Sequence, residues 1–262
     1  MRSDLARQYG QDRLPRYTSY PTAPHFGPAI GVADYRRWLR SIPTRRPASI
    51  YLHVPFCRSM CWYCGCHTSV MRRDEPIALY TSGLRTEAHL VAETIGQRLP
   101  VSHIHFGGGT PTIMAPEAFA DLVGALRYSY FVLPDAEIAV EIDPRTLTEP
   151  MAEALGFSGV NRTSLGVQSF DPDVQRAINR MQSFEQTATC VERLRRAGID
   201  KLNFDLLYGL PLQTVDSCLD TVAKCIELRP DRFSVFGYAH IPSFKKHQRA
   251  IDESMLPGSA DR

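Results

Sequence analysis

The sequence predicts an α/β fold, a partial (β/α)6 barrel preceded by an N-terminal arm, and three observations point to it. Six apolar, β-prone runs alternate with helical stretches, the pattern of parallel strands joined by helical crossovers. Hydrophobic residues make up 44% of the 262 residues, enough to bury a substantial core. Polar residues recur where the strands end. Right-handed crossovers allow an open sheet or a barrel, but only a barrel converges all the strand ends on one mouth, where functional groups collect.

The first strand is "ASIYLHVPF" (48–56), rich in β-branched and aromatic residues and running into a cysteine-rich loop. Helical periodicity follows over 76–98. "SHIHFGGG" (102–109) reads as the second strand and "APEAFADLVGALRYSYF" (115–131) as its helix. "AEIAVEID" (136–143) is the third strand, followed by a short helix over 148–159. "RTSLGVQSF" (162–170) leads to a helix whose best part is 183–198, closed by Gly198 as helices commonly are. "KLNFDLLYG" (201–209) precedes a helix near 214–228, and "RFSVFGYAH" (232–240) is the sixth strand. The polar groups at or near their ends are the cysteines, "GGGTP", Glu141 with Asp143, Gln168, Asp205, and Tyr238 with His240.

Composition narrows the function classes. The net charge of +2 is too small to point to nucleic acid, and no apolar run nears the roughly 18 residues of a membrane span. The N-terminus lacks the apolar core of a secretory signal, so a cytoplasmic protein without nucleic-acid or membrane partners is the expectation. Residues 1–46 hold nine Arg and three Asp with no Lys or Glu, a basic arm suited to an acidic small molecule. In a reducing compartment, clustered thiols more often bind metal or do redox work than form disulfides.

Four of the seven cysteines lie within ten residues, as Cys57-x3-Cys61-x2-Cys64 and then Cys66, while Cys190, Cys218 and Cys225 are scattered. Three thiolates on one short loop suit a 4Fe–4S cube, one per iron, with the fourth iron open. Zinc is an alternative, although it commonly takes two separated ligand pairs and Cys66 and His67 sit in the same loop. A redox pair of Cys64 and Cys66 is another.

"CRSMCWYC" resembles the cysteine motif of radical S-adenosylmethionine enzymes, including the aromatic Tyr63 before the last cysteine. "RYTSYPTA" (16–23), "YLHVPFC", "CGC", "HFGGGTPT" (105–112) and "EIDP" (141–144) narrow the resemblance to the oxygen-independent coproporphyrinogen III oxidase family. So do "LGVQSF" (165–170), "NFDLLYGLP" (203–211) and "SVFGYAHIP" (234–242). The resemblance implies a radical-SAM barrel over 47–245, a basic arm over 1–46 and a truncated C-terminal extension over 246–262, because the family continues well past the sixth strand. It implies a 4Fe–4S cluster on Cys57, Cys61 and Cys64, with Cys66 outside the ligand set. It also implies S-adenosylmethionine contacts from Tyr51, Tyr63, Gly108, Gly109, Thr110, Glu141, Gln168, Arg180, Asp205 and Ala239. No catalytic side chain is implied beyond the cluster and cosubstrate.

The implied reaction, in porphyrin and heme biosynthesis, is oxidative decarboxylation of two propionates of coproporphyrinogen III to give protoporphyrinogen IX through a 5′-deoxyadenosyl radical. The implied partners are that substrate and a low-potential electron donor such as flavodoxin or ferredoxin, acting with a monomer. The short C-terminal end predicts impaired turnover. Two readings of other classes remain: a heme- or cluster-binding carrier without turnover, and a zinc-stabilised structural domain.

Read without the resemblance, several of these residues have plainer roles. Most glycine runs are turns, although Gly108 and Gly109 after a strand would let backbone approach a ligand closely. Glu141 and Asp143, two apart on a strand, share a face; Glu141 is a natural acceptor for ribose hydroxyls or ammonium, whereas Asp143, before Pro144, shapes a turn. Arg180 reads as a solvated helix charge and His53 as a satisfied core histidine. Arginines of the arm such as Arg16 read as solvated; the resemblance offers propionates as their partners.

Overall fold

Residues 20–258 are described in the computed structural model, so Arg16, the first half of "RYTSYPTA" and the last four residues lie outside it. Strand β1 (Ala48–Val54) is followed by two very short strands, β2 (Phe56–Cys57) and β3 (Ser69–Val70), which pair in parallel with each other. Then come β4 (Pro100–Gly108), β5 (Phe131–Ile142), β6 (Arg162–Gln168), β7 (Lys201–Tyr208) and β8 (Arg232–Gly237). The six longer strands make one all-parallel sheet in the order β1-β4-β5-β6-β7-β8. Helices α1 (Val32–Arg40), α2 (Glu75–Ile95), α3 (Pro116–Ser129) and α4 (Glu149–Phe157) precede α5 (Pro172–Ala177), α6 (Phe184–Arg196) and α7 (Val215–Glu227). The result is the α/β, six-unit partial barrel that the alternation predicts.

Alternation along each strand decides where the core and the cavity lie. Side chains of successive strand residues point to opposite faces. One face carries Leu52, Val54, Ile104, Phe106, Ile138, Val140, Leu165, Val167, Leu202 and Phe204, all buried in one apolar cluster. That cluster also contains Ile77, Phe119, Leu122, Leu126, Leu155, Val191 and Leu194 from the helices, so this face packs under the helical layer. The opposite face carries Tyr51, His53, His105, Glu141, Arg162, Ser164, Asn203, Asp205 and Ser234. All but Arg162 hydrogen-bond to one another along or across the strands, and Arg162 reaches Glu137 on β5. The inside of the barrel is therefore polar.

Helix ends follow local chemistry. Ser183 and Gln186 form a reciprocal capping box at the start of α6, and Thr214 with Ser217 does the same for α7. Gly198, at φ +80°, follows α6 as expected. The predicted first, fourth and sixth strands end two or three residues later than β1, β6 and β8, because the chain leaves the sheet at the mouth to build the site. Four elements were not expected. Helix α1 packs Leu39 into the main core, α5 makes one and a half turns after β6, and β2 with β3 pin the cysteine loop. No helix among the described residues is long and apolar enough to cross a membrane.

Candidate metal and cosubstrate site

Main-chain hydrogen bonds close the cysteine loop at both ends. Ser69 N donates to Pro55 O at 2.8 Å and Met71 N to Cys57 O at 2.8 Å, which closes the loop between β2 and β3. From the sheet side, Gly109 N donates to Val54 O and Thr110 N to Phe56 O, both at 2.8 Å. A Cβ on Gly109 would lie 2.5 Å from Phe56 O and from Thr68 Oγ1, so only glycine lets the two segments meet. The glycine run thus makes room for the protein's own loop. The space beside Gly108 (φ +117°) is likewise filled, by the His53 ring and Val54 O.

Cys57, Cys61 and Cys64 line one cleft at the mouth together with Tyr63, Gly108, Gly109, Thr110, Glu141, Gln168, Arg180 and Asp205. Cys66 and Asp143 line it as well. Most of the residues that the sequence singled out are therefore gathered around one space. Tyr51 and Ala239 do not line it. Tyr51 lies one step further in, stacked on His105 at 5.8 Å, and Ala239 follows β8, where its carbonyl accepts from Gln248.

Two guanidiniums face the thiol of Cys61. Arg180 Nη1 lies 3.5 Å and Arg145 Nη2 3.6 Å from its Sγ. Arg180 is no solvated helix charge: it is 6% exposed, just beyond α5, and donates to Gly166 O at 2.6 Å. Its partner is Asp143, at 3.4 Å, which also takes Arg145 at 2.6 Å. Burial works against ionisation of Asp143, but Arg180 and Arg145 outweigh it and hold its carboxyl below the usual carboxylate range. Asp143 does shape its turn as well, accepting from Arg145 N at 3.1 Å. The hydroxyls of Thr68 and Thr110 sit 3.3 Å and 3.5 Å from Cys57 Sγ.

Deeper in, Glu141 accepts from Gly108 N at 3.0 Å and from His105 Nε2 at 3.2 Å. Asp205 accepts from Ser164 Oγ and Asn203 Nδ2, both at 2.8 Å. Burial raises the Asp205 carboxyl above its usual range, despite the two hydrogen bonds that favour its ionised form. Gln168 takes φ +69°, a left-handed conformation uncommon outside glycine, where β6 reaches the mouth. His53 is satisfied but not a core residue. It accepts from Tyr51 and donates to His67 O on the polar interior face, at 3.0 Å and 2.9 Å.

Arg145, Ser164 and Asn203 belong to the site and were not singled out from the sequence. A signal existed for Arg145, which directly follows "EIDP" at a strand end. Ser164 and Asn203 become visible only through register, since they are directly paired across β6 and β7.

These residues fit an iron–sulfur cube. A single metal ion needs its ligands gathered at one point, and no three His, Cys, Asp or Glu side chains among the described residues are so gathered. A cube takes one thiolate per iron, so spaced thiols around a shared cleft suit it. Adjacent guanidiniums and hydroxyls suit a negatively charged thiolate cluster. The three cysteines could hold such a cluster, and the carboxylates of Glu141 and Asp205 line the same cleft.

Comparison with known proteins places these observations. A sequence profile for the radical SAM superfamily matches residues 51–225. The chain is 69% identical to an oxygen-independent coproporphyrinogen III oxidase of Bradyrhizobium diazoefficiens, over 100% of this chain and 58% of the relative. It is 44% identical to the oxidase of the same description from Paracoccus denitrificans, over 94% of this chain and 54% of the relative. The solved structure of coproporphyrinogen III oxidase (HemN) from Escherichia coli, a radical SAM enzyme, superposes with a TM-score of 0.87 at 38% identity. That match covers 94% of this chain and 56% of the other. The chain thus spans somewhat more than half the length of these relatives.

Proposed function

The chain belongs to the radical SAM superfamily, and from that premise we propose that it binds a 4Fe–4S cluster on Cys57, Cys61 and Cys64 with S-adenosylmethionine beside it, and serves the oxygen-independent oxidative decarboxylation of coproporphyrinogen III propionates. The bound pair would supply a carbon-centred radical for hydrogen abstraction. One observation carries the reading: three thiols, two thiol-facing guanidiniums and two inward carboxylates surround one cleft at the mouth of a parallel barrel. The whole-chain likeness to coproporphyrinogen III oxidases supports the choice of substrate.

The chain's own residues have separable tasks. Arg145 and Arg180 offset negative charge at Cys61 and present N–H donors to its sulfur. Glu141, oriented by the Gly108 N–H and by His105, offers its remaining lone pairs to an ammonium or a ribose hydroxyl. Asp205, fixed by Ser164 and Asn203, presents a second carboxylate to the same cleft. A low-potential one-electron donor is the required partner.

The test begins with iron and sulfide analysis of anaerobically reconstituted protein. About four irons and four sulfides per chain are expected, none in Cys61→Ala and most of them in Cys66→Ala. Zinc without sulfide would overturn the reading. Glu141→Gln should retain the cluster and the melting temperature while binding S-adenosylmethionine at least tenfold more weakly. Reductant and coproporphyrinogen III are then added, and CO2 and 5′-deoxyadenosine are counted. A cluster that releases neither 5′-deoxyadenosine nor CO2 would leave a carrier as the function, whereas 5′-deoxyadenosine without matching CO2 would mean that the radical forms and turnover is impaired.

A further inference from the structure

Side chains of the segment after β8 grip the cysteine loop. Lys245 Nζ donates to Cys66 O at 2.9 Å, His247 Nε2 to Cys64 O at 2.7 Å, and Gln248 Nε2 to Tyr63 O at 3.1 Å. Asn179, after α5, completes the grip with a 2.8 Å bond to Met60 O. The carbonyls of residues 60, 63, 64 and 66, strung along the cysteine motif, are thus each bound by a side chain from a distant part of the chain.

Gln248 differs from the others in what it joins. It is 1% exposed, and its amide nitrogen reaches both Tyr63 O and, at 3.3 Å, Ala239 O just past β8. Its amide oxygen accepts from Ile241 N at 2.6 Å. One buried side chain therefore ties the backbone between two of the thiols to the end of the last strand. The sheet order leaves β1 and β8 at opposite edges, unpaired with each other. Gln248 bridges that opening by side chain, because no ladder does.

We propose that Gln248 is a positioning residue that sets the spacing between the thiol loop and the end of β8, and hence between a metal group on the loop and a cosubstrate lying across the mouth. The inference rests on the functional reading given above. It specifies a donor role: the amide N–H groups do the work, and the side chain's volume does not. A glutamate has the same shape but presents only acceptors to two carbonyls, leaving both unmatched in a buried place.

Hydrogen exchange of the metal-free protein tests the grip first. In Gln248→Glu, amides of residues 58–68 should exchange at least tenfold faster than in the wild type, with those of β4 to β7 unchanged. His247→Phe keeps a ring but loses its donor at a half-buried position, so it should fold normally and loosen the same peptides. If the glutamate variant does not fold, Gln248→Met decides the matter, because it keeps the side chain's length and volume without its donors and should loosen the same peptides in a folded protein. After reconstitution, Gln248→Glu at full iron content should bind S-adenosylmethionine at least tenfold more weakly. Unchanged loop exchange would overturn the proposal, as would exchange that rises uniformly over the barrel or unchanged affinity at full iron content. A wild-type protein that takes up no iron would sink the functional reading instead. The metal-free exchange comparison would then judge the grip by itself.

Discussion

Arg180 carries its charge inside the protein, where an ion needs matched partners to be tolerated. It has Asp143, Gly166 O and the Cys61 sulfur. Replacing it with Met leaves Asp143 to Arg145 alone and should cost about 3 kcal/mol, the usual scale for breaking a buried pair. Arg180→Lys should recover little, because a point charge cannot serve three acceptors arranged for a planar fork. Urea midpoints measure both, and a loss below about 1 kcal/mol for Arg180→Met would show that the pair is dispensable. The two cleft aspartates give opposite pH signatures. Asp143 has a depressed carboxyl, so its stabilisation is complete above about pH 4 and lost as pH falls through its lower folded value. Asp205 has a raised one, so its ionisation costs stability as pH climbs from about 4 through its higher folded value. Asp143→Asn should flatten the acid limb of the stability curve, and Asp205→Asn should gain on the wild type as pH rises. Most cleft residues were legible in the sequence because they stand at strand ends. Burial of Arg180 was not, since nothing local distinguishes it from a solvated arginine.

Gly109 shows how an element as small as β2 depends on its neighbour. Alanine there must displace Phe56 and Thr68 from their 2.5 Å positions, and the backbone of β2 can yield little. Gly109→Ala should cost about 1–3 kcal/mol and lower iron loading, since the displaced strand begins the thiol loop. Normal loading at an unchanged melting temperature would show that the loop tolerates the shift. The strands and long helices were readable because period and length reinforce each other over many residues. Helix α5 is too short to show a period, yet Asp171 and Pro172 stand at its cap and first position, a start signal that the sequence does contain. The pairing of β2 with β3 had no such signal. It exists because the loop between them folds back, and that fold-back is tertiary.

The whole sheet has two edges, and β8 is the more exposed of them. Val235 is 57% exposed and Phe236 53%, on opposite faces of that strand, within "RFSVFG", where Arg232 is the sole charge. An exposed apolar edge invites pairing with another chain. Val235→Lys should therefore reduce light scattering on heating while moving the melting temperature little, as surface changes do. A melting loss of core size would mean instead that Val235 is packed in solution. Alternation of strands and helices made the parallel barrel legible from the sequence. Its closure by Gln248, His247 and Lys245 was not, because those contacts span about 180 residues and follow no period.

The pairing of β2 with β3 has a consequence for how the protein matures. It fastens the thiol loop with main-chain bonds that need no metal. Closing a ring of about a dozen residues costs roughly 2 kcal/mol of chain entropy, and here that cost falls on folding, not on metal uptake. In a zinc finger, by contrast, metal binding and folding are a single event. If the chain holds the cluster proposed above, it would complete its fold before iron and sulfide arrive and would keep that fold when they are lost, so that loss and reloading of the cofactor become a cycle one polypeptide can pass through many times.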